Sequence, residues 1–306
     1  MRAAFSSAIV LLAKNDPKVL LLTGDHGYAL FDEFRNECPE QYINAGIAEQ
    51  NMVGMAAGLA KAGFKPIVYG LSAFIPIRVL EQIKLDAAHD QLPVIFIGDG
   101  AGFVYSHLGT SHQSTEDIAC ARVIPNLSVY SPADAHELTA CMESAYQANS
   151  TVYIRIGKSD RAAVNPTPVK PKTGDILSIK KVPNSTLAFI ATGSLSSTAL
   201  ALANTLYPHA SVWSVPYIKP MNEKQIIEIC NQHQNLVTFE EHSIFGGLGS
   251  SIAEISSEHC PNHILRIGVK DCFSKSCGSY EYLLKEHGLD EDSISKKINL
   301  FLKEIV

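Results

Sequence analysis

The sequence has no Cys-x-x-Cys pair, no block of like charges and no apolar run long enough to cross a bilayer. Each absence excludes a class of protein. The seven cysteines, an odd number, stand at 38, 120, 141, 230, 260, 272 and 277. That spacing suits neither a zinc site nor a disulfide framework, and it points to a reduced, cytoplasmic protein. Cys272 and Cys277 lie close together but have no second pair to complete a metal site. The net charge of −6, spread without runs, argues against a nucleic-acid or anionic-membrane partner. The opening "MRAAFSSAIVLLAKNDPK" reads as an amphipathic helix, too short in its apolar part for a membrane span. No low-complexity tract or short repeat is present.

What is present is alternation. Short apolar, β-rich runs begin at Lys18, Lys65, Pro93, Leu127 and Thr151, with helical patterns near 44–62, 74–90, 115–123 and 133–148 between them. Strands that are continuously apolar belong in parallel sheets covered on both faces. The pattern then pauses at "KSDRAAVNPTPVKPKTGD", which is rich in proline and polar residues. It resumes with "TLAFIATGS", "ASVWSVPYI", "NLVTFEEHS" and "HILRIGV" as strands. The expectation is an α/β protein of two domains, 1–165 and 181–306, joined by a linker at 166–180, each a mainly parallel sheet flanked by helices. Ligands of such sheets sit beyond the carboxyl ends of the strands. Asp25, His26, Tyr69, Asp99, Gly100 and Arg155 fall at or near those ends.

One helical stretch, "NAGIAEQNMVGMAAGLAKAG" from Asn44, carries a carboxylate among apolar neighbours. Asn44 is a suitable N-cap. The capping-box position is then Ile47, so Glu49 serves another purpose. A carboxylate there either finds a partner or stays protonated. A first-turn acid favoured by the helix dipole is the plainer alternative. "GGLGSS" at 246–251 has the wrong spacing for a dinucleotide fingerprint and reads as close helix–strand packing.

The string "YINAGIAEQNMVGMAAGLA" resembles the catalytic-glutamate segment of the transketolase family. "SAFIPIRVLEQIK", "GTSHQSTEDIACARVIPNLSVYSPAD", "VYIRIGK" and "EEHSIFGGLGSSIAEI" follow in the family's order. The resemblance covers essentially the whole chain and implies a pyrimidine-binding domain followed by the transketolase C-terminal domain. It implies that Glu49 hydrogen-bonds the aminopyrimidine of thiamine diphosphate, where a carboxyl group shares a proton that a Gln could not. Phe74 matches the first aromatic that packs the pyrimidine, while the next two such positions are Ile77 and Leu80. Asp25 matches an aspartate near the cofactor. His112 matches the histidine that meets the donor's carbonyl or hydroxyl, a role suited to the proton-carrying chemistry of an imidazole. The family's sugar-reading aspartate is Leu108 here, and His107 beside it is a substitute. Arg2 and Arg155 match phosphate-binding arginines, but Gly100 and Ala29 replace the phosphate histidine and serine. Arg78 also resembles related chains; a salt bridge to Asp86 or Glu81 is its plain reading.

Gly98-Asp99-Gly100, with Asn126 downstream, imitates the Mg²⁺ signature of thiamine enzymes. The family places this stretch on a pyrimidine-domain strand that holds no metal, so the triplet reads as a strand ending in a glycine turn. No metal ligand is therefore expected in this chain. The resemblance implies the β-type half of a split enzyme, with Mg²⁺ and diphosphate held by an N-terminal-type partner subunit and two copies of each chain. The implied reaction moves a two-carbon ketol unit from a ketose, phosphorylated or modified, to an aldehyde. Two rivals remain: a 2-oxo-acid decarboxylating enzyme, as in deoxyxylulose-phosphate synthases or 2-oxo-acid dehydrogenase β subunits, and a non-catalytic regulatory homologue.

Overall fold

The computed structural model describes residues 1–304. Its strands are β1 Val19–Thr23, β2 Tyr42–Asn44, β3 Lys65–Leu71, β4 Ile95–Asp99, β5 Leu127–Tyr130, β6 Thr151–Ile156, β7 Leu177–Lys180, β8 Leu187–Ala191, β9 Ser211–Ser214, β10 Tyr217–Lys219, β11 Asn235–Ser243 and β12 His263–Val269. They form a seven-stranded sheet, β10-β5-β6-β4-β3-β1-β2, and a five-stranded sheet, β12-β11-β8-β9-β7. All pairings are parallel except β10 with β5 and β7 with β9.

Burial explains the continuous apolar strands. Every residue of β1, β4 and β6 is buried. Val19 and Leu21 turn toward Phe5, Ile9 and Ala13 of the helix Arg2–Asn15. Leu20 and Leu22 turn the other way, toward Met52, Val53 and Ala56 of the helix Glu49–Lys61. Each fully buried aliphatic side chain of this kind contributes about 1.5–3 kcal/mol. A sheet covered in this way leaves only its strand ends for chemistry.

Four expectations need correction. The helix expected from Asn44 starts at Glu49. Asn44 ends β2, and its side chain accepts from Gly46 N–H at 2.9 Å, closing a turn instead of capping the helix. The stretch 74–90 is not one helix: it runs through 3₁₀, α and π turns from Ile77 to Ala88. The last residues of the expected linker form β7 on the second sheet. "ASVWSVPYI" splits at Pro216, so that β9 stays in the second sheet while β10 crosses to the edge of the first.

Candidate active site at the strand ends

The loops after β2, β3 and β4 bring together residues that are distant in sequence. Glu49 begins its helix and is 8% exposed. Arg78 Nη1 donates to Glu49 Oε1 at 2.9 Å. The same guanidinium lies 3.8 Å from the centroid of the Phe74 ring. Phe74 in turn meets the His112 ring edge-on at 5.3 Å. His112 Nδ1 is 2.9 Å from Ser111 Oγ. Glu49, Arg78, Phe74 and His112 thus form one contiguous set. Arg78 pairs with Glu49, not with Asp86 or Glu81 as local spacing suggested. Ile77 is half-buried, and Leu80 packs against the hydrophobic core. His107 and Leu108 are both exposed in the loop before His112.

After β1, Asp25 is exposed and accepts from Tyr28 Oη at 2.7 Å. His26 is half-buried, and its Nε2 is buried without a partner. Burial lowers its pKa, against the pull of nearby carboxylates that include Glu49. A Cβ on Gly24 would fall 2.9 Å from the backbone carbonyl oxygen of Gly46, so this position must stay bare.

Asp99, the acid of the glycine triplet, is almost fully buried. Its Oδ2 accepts from Tyr69 Oη at 2.8 Å and Tyr105 Oη at 3.1 Å, and Arg2 Nε donates to it at 3.1 Å. Burial and the adjacent Asp99 push the Tyr105 hydroxyl up to about 12. Gly100 has φ +79°, and a Cβ there would fall 2.0 Å from a Tyr105 ring carbon. The triplet therefore closes a turn against Tyr105. Among the described residues, no group of three or more His, Cys, Asp or Glu side chains is arranged to hold a metal ion.

The two arginines expected on substrate are committed within the chain. Arg2 forms an ion pair with Asp99, and the hydrogen bond to that carboxylate raises its pKa. Arg155 is 3% exposed. It donates to Asp117 at 2.8 and 3.1 Å and also to the carbonyls of Ser114 and Glu241. Its fork is filled by a buried carboxylate, Asp117. The hydrogen bond from Arg155 to the Glu241 carbonyl ties the first domain to β11 of the second.

The C-terminal domain also reaches the site, which the sequence did not reveal. Glu241 Oε1 accepts from Phe103 N–H at 2.7 Å. Ser274 Oγ donates to Gln113 Oε1 at 2.8 Å.

A parallel sheet bearing a buried carboxylate, an aromatic wall and a loop histidine at its strand ends, followed by a second α/β domain, defines a class. Residues 1–162 match the transketolase pyrimidine binding domain, and residues 178–294 match the transketolase C-terminal domain. The chain belongs to the transketolase family. It is 32% identical to one of the subunits of the apulose-4-phosphate transketolase of Phocaeicola vulgatus, covering 99% of this chain and 97% of that one. It is 30% identical to the 6-deoxy-6-sulfo-D-fructose transketolase subunit of Clostridium sp., covering 96% and 92%. A solved split gene transketolase, described as an inactive beta4 tetramer, superposes with a TM-score of 0.90 at 32% identity, covering 99% of this chain and 98% of that one. The chain spans about half, 48%, of the 1-deoxy-D-xylulose-5-phosphate synthase of Pasteurella multocida, to which it is 33% identical over 97% of its own length.

The residues present suit the aminopyrimidine of the family's cofactor. Glu49 offers a nearly buried carboxyl group, and Phe74 offers a ring face. A flat, nitrogen-bearing group already occupies both: the Arg78 guanidinium, 47% exposed.

Proposed function

We propose that this chain is one half of a two-chain transketolase, with a second polypeptide holding Mg²⁺ and the diphosphate. The complete enzyme contains two copies of each chain. It moves a two-carbon ketol unit from a ketose to an aldehyde in a reducing cytoplasm, where the unpaired cysteines stay as thiols. The observation that carries this is the single set of Glu49, Arg78, Phe74 and His112 at the ends of a parallel sheet.

When bound, thiamine diphosphate supplies the carbon nucleophile and the electron sink for the two-carbon fragment. The protein's part is positional and protonic. Once released by Arg78, Glu49 would hold a pyrimidine ring nitrogen of the cofactor through a shared proton. Phe74 packs one face of that ring, and Ile77 and Leu80 complete the apolar wall. His112 hydrogen-bonds the donor's carbonyl or hydroxyl oxygen and carries a proton there. His107 reads sugar hydroxyls in place of the acid missing at Leu108, and Asp25 supports the cofactor edge. With Arg2 and Arg155 tied to internal carboxylates, the substrate's charge is read elsewhere. The similar subunits are named for a sulfo-sugar and an apulose phosphate, and a sugar of that modified kind is the expected substrate.

The test is reconstitution. The purified chain is assayed for ketol transfer alone and with a diphosphate-binding transketolase chain, in the presence of thiamine diphosphate and Mg²⁺. Transfer is expected only with both chains; full activity from this chain alone overturns the split assembly. Its similarity to deoxyxylulose-phosphate synthases favours one other reading, decarboxylation of a 2-oxo acid. Release of carbon dioxide from pyruvate by the assembled pair, without ketol transfer, establishes that reading instead.

A further inference from the structure

The segment after β12 crosses to the first domain and lies on the turn that carries His112. Ser274 Oγ donates to Gln113 Oε1 at 2.8 Å and lies 2.9 Å from His287 Nε2. The His287 ring stacks on Phe103, with centroids 4.7 Å apart and 20° between planes. Its Nδ1 is 3.9 Å from Cys272 Sγ. Gln113 is 6% exposed and its Nε2 is buried without a partner, so Oε1 is the side chain's one anchor. Three residues before His112, Gly109 has φ +78°, and a Cβ there would come within 3.1 Å of Cys277 Sγ. The segment 272–277 therefore touches this turn at both ends.

We propose that Ser274 and His287 are positioning residues for His112, acting through Gln113. A hydroxyl has one proton to give. If Ser274 gives it to Gln113 Oε1, it must accept from His287 Nε2–H, and His287 is then the Nε2–H tautomer with Nδ1 toward the Cys272 thiol. Burial lowers the His287 pKa and keeps the ring neutral near pH 7, as that tautomer needs. The amide so fixed holds the C-terminal end of the Thr110–His112 turn, where His112 N–H donates to Gly109 O at 3.0 Å. Phe74 and Ser111 steady the imidazole from the first domain while the second domain holds the backbone beneath it. This inference rests on the role given to His112 above.

Two measurements test it. In the full chain alone, ¹⁵N chemical shifts of His287 should report the Nε2–H tautomer, and Ser274→Ala should change them. An Nδ1–H tautomer overturns the relay. In the assembled enzyme, Ser274→Ala should lower kcat about tenfold and leave KM within about twofold, and Ser274→Thr should restore kcat. In a His112→Ala background, Ser274→Ala should have no further effect. An equal loss in both backgrounds makes the contact merely structural and overturns the inference, as does an active pair indifferent to Ser274→Ala. A pair with no ketol transfer at all overturns the functional proposal and this inference with it.

Discussion

At the seam between the domains, Asp117, Arg155, Glu240, Glu241 and His242 are all buried, and each finds its partners inside the chain. At the carboxyl ends of the first sheet's strands, Asp25 is exposed, Arg78 and His112 keep part of their surface in solvent, and Glu49 is held by an arginine that is itself 47% exposed. The residue types are the same: carboxylates, an arginine, a histidine. The difference is whether their valences are closed. His242 Nδ1–H donates to Ser243 O at 2.7 Å and Nε2 accepts from Ala119 N–H at 3.2 Å, which uses up a neutral imidazole. Burial holds its pKa down at about 4. Glu240 accepts the N–H groups of Leu248 and Gly249 at a helix start. The seam joins the two domains through saturated polar groups, and the strand ends keep groups that a ligand can still engage.

The largest expected effect lies at the seam. Arg155→Leu leaves Asp117 charged and buried without its partner, and should cost about 3–5 kcal/mol of stability. Thermal unfolding of the chain alone checks this; an unchanged Tm would remove the distinction between the two regions. At the strand ends the effect should fall on activity. His112→Asn should lower kcat of the assembled enzyme about a hundredfold, as for loss of a proton-transferring side chain, with Tm nearly unchanged.

A smaller effect is expected with pH. Burial raises Glu240 from its usual 4.5 to about 7, so between those values the folded chain keeps a proton that the unfolded chain has lost. The stability this group contributes is therefore greatest at low pH and is lost as pH rises through 7. His242 works oppositely: its pKa is depressed from 6.5 to about 4, so its contribution is lost as pH falls below 6.5. Glu240→Gln removes the first slope and leaves the second. The Tm difference, wild type minus variant, should shrink from pH 5 to pH 7.5; a difference that grows over this range contradicts the assignment. The smallest effect belongs to Arg78→Met. The arginine side chain is 47% exposed although Glu49 is nearly buried, and loss of the pair should change stability by about 1 kcal/mol, while apparent affinity for thiamine diphosphate in the assembled enzyme changes measurably.

The strands were legible because each is a short, continuous apolar run between polar turns, and the structure keeps nearly all of them. β2, β7 and β10 were not, since strands of three or four residues at sheet edges carry no pattern of their own. The start of the Glu49 helix was misplaced because Asn44 has an N-cap side chain that closes a turn onto Gly46 instead. Glu49, Phe74 and His112 were legible as types, and Arg78 bridges the first two while Phe74 meets the third. Which acid each arginine serves was not. Arg78, Arg155 and Arg2 meet partners 29, 38 and 97 residues away, separations at which helix or strand spacing conveys nothing. The strap from Ser274 to Gln113 joins residues 161 apart and was invisible for the same reason.

The most direct measurement is ketol transfer by the reconstituted two-chain enzyme carrying wild-type chain or Glu49→Gln, with assembly mass and Tm measured on the same samples. The expected result is a drop of at least about a hundredfold in kcat with assembly and stability preserved. A Glu49→Gln enzyme that assembles and turns over at the wild-type rate would contradict the placement of the active site at the strand ends.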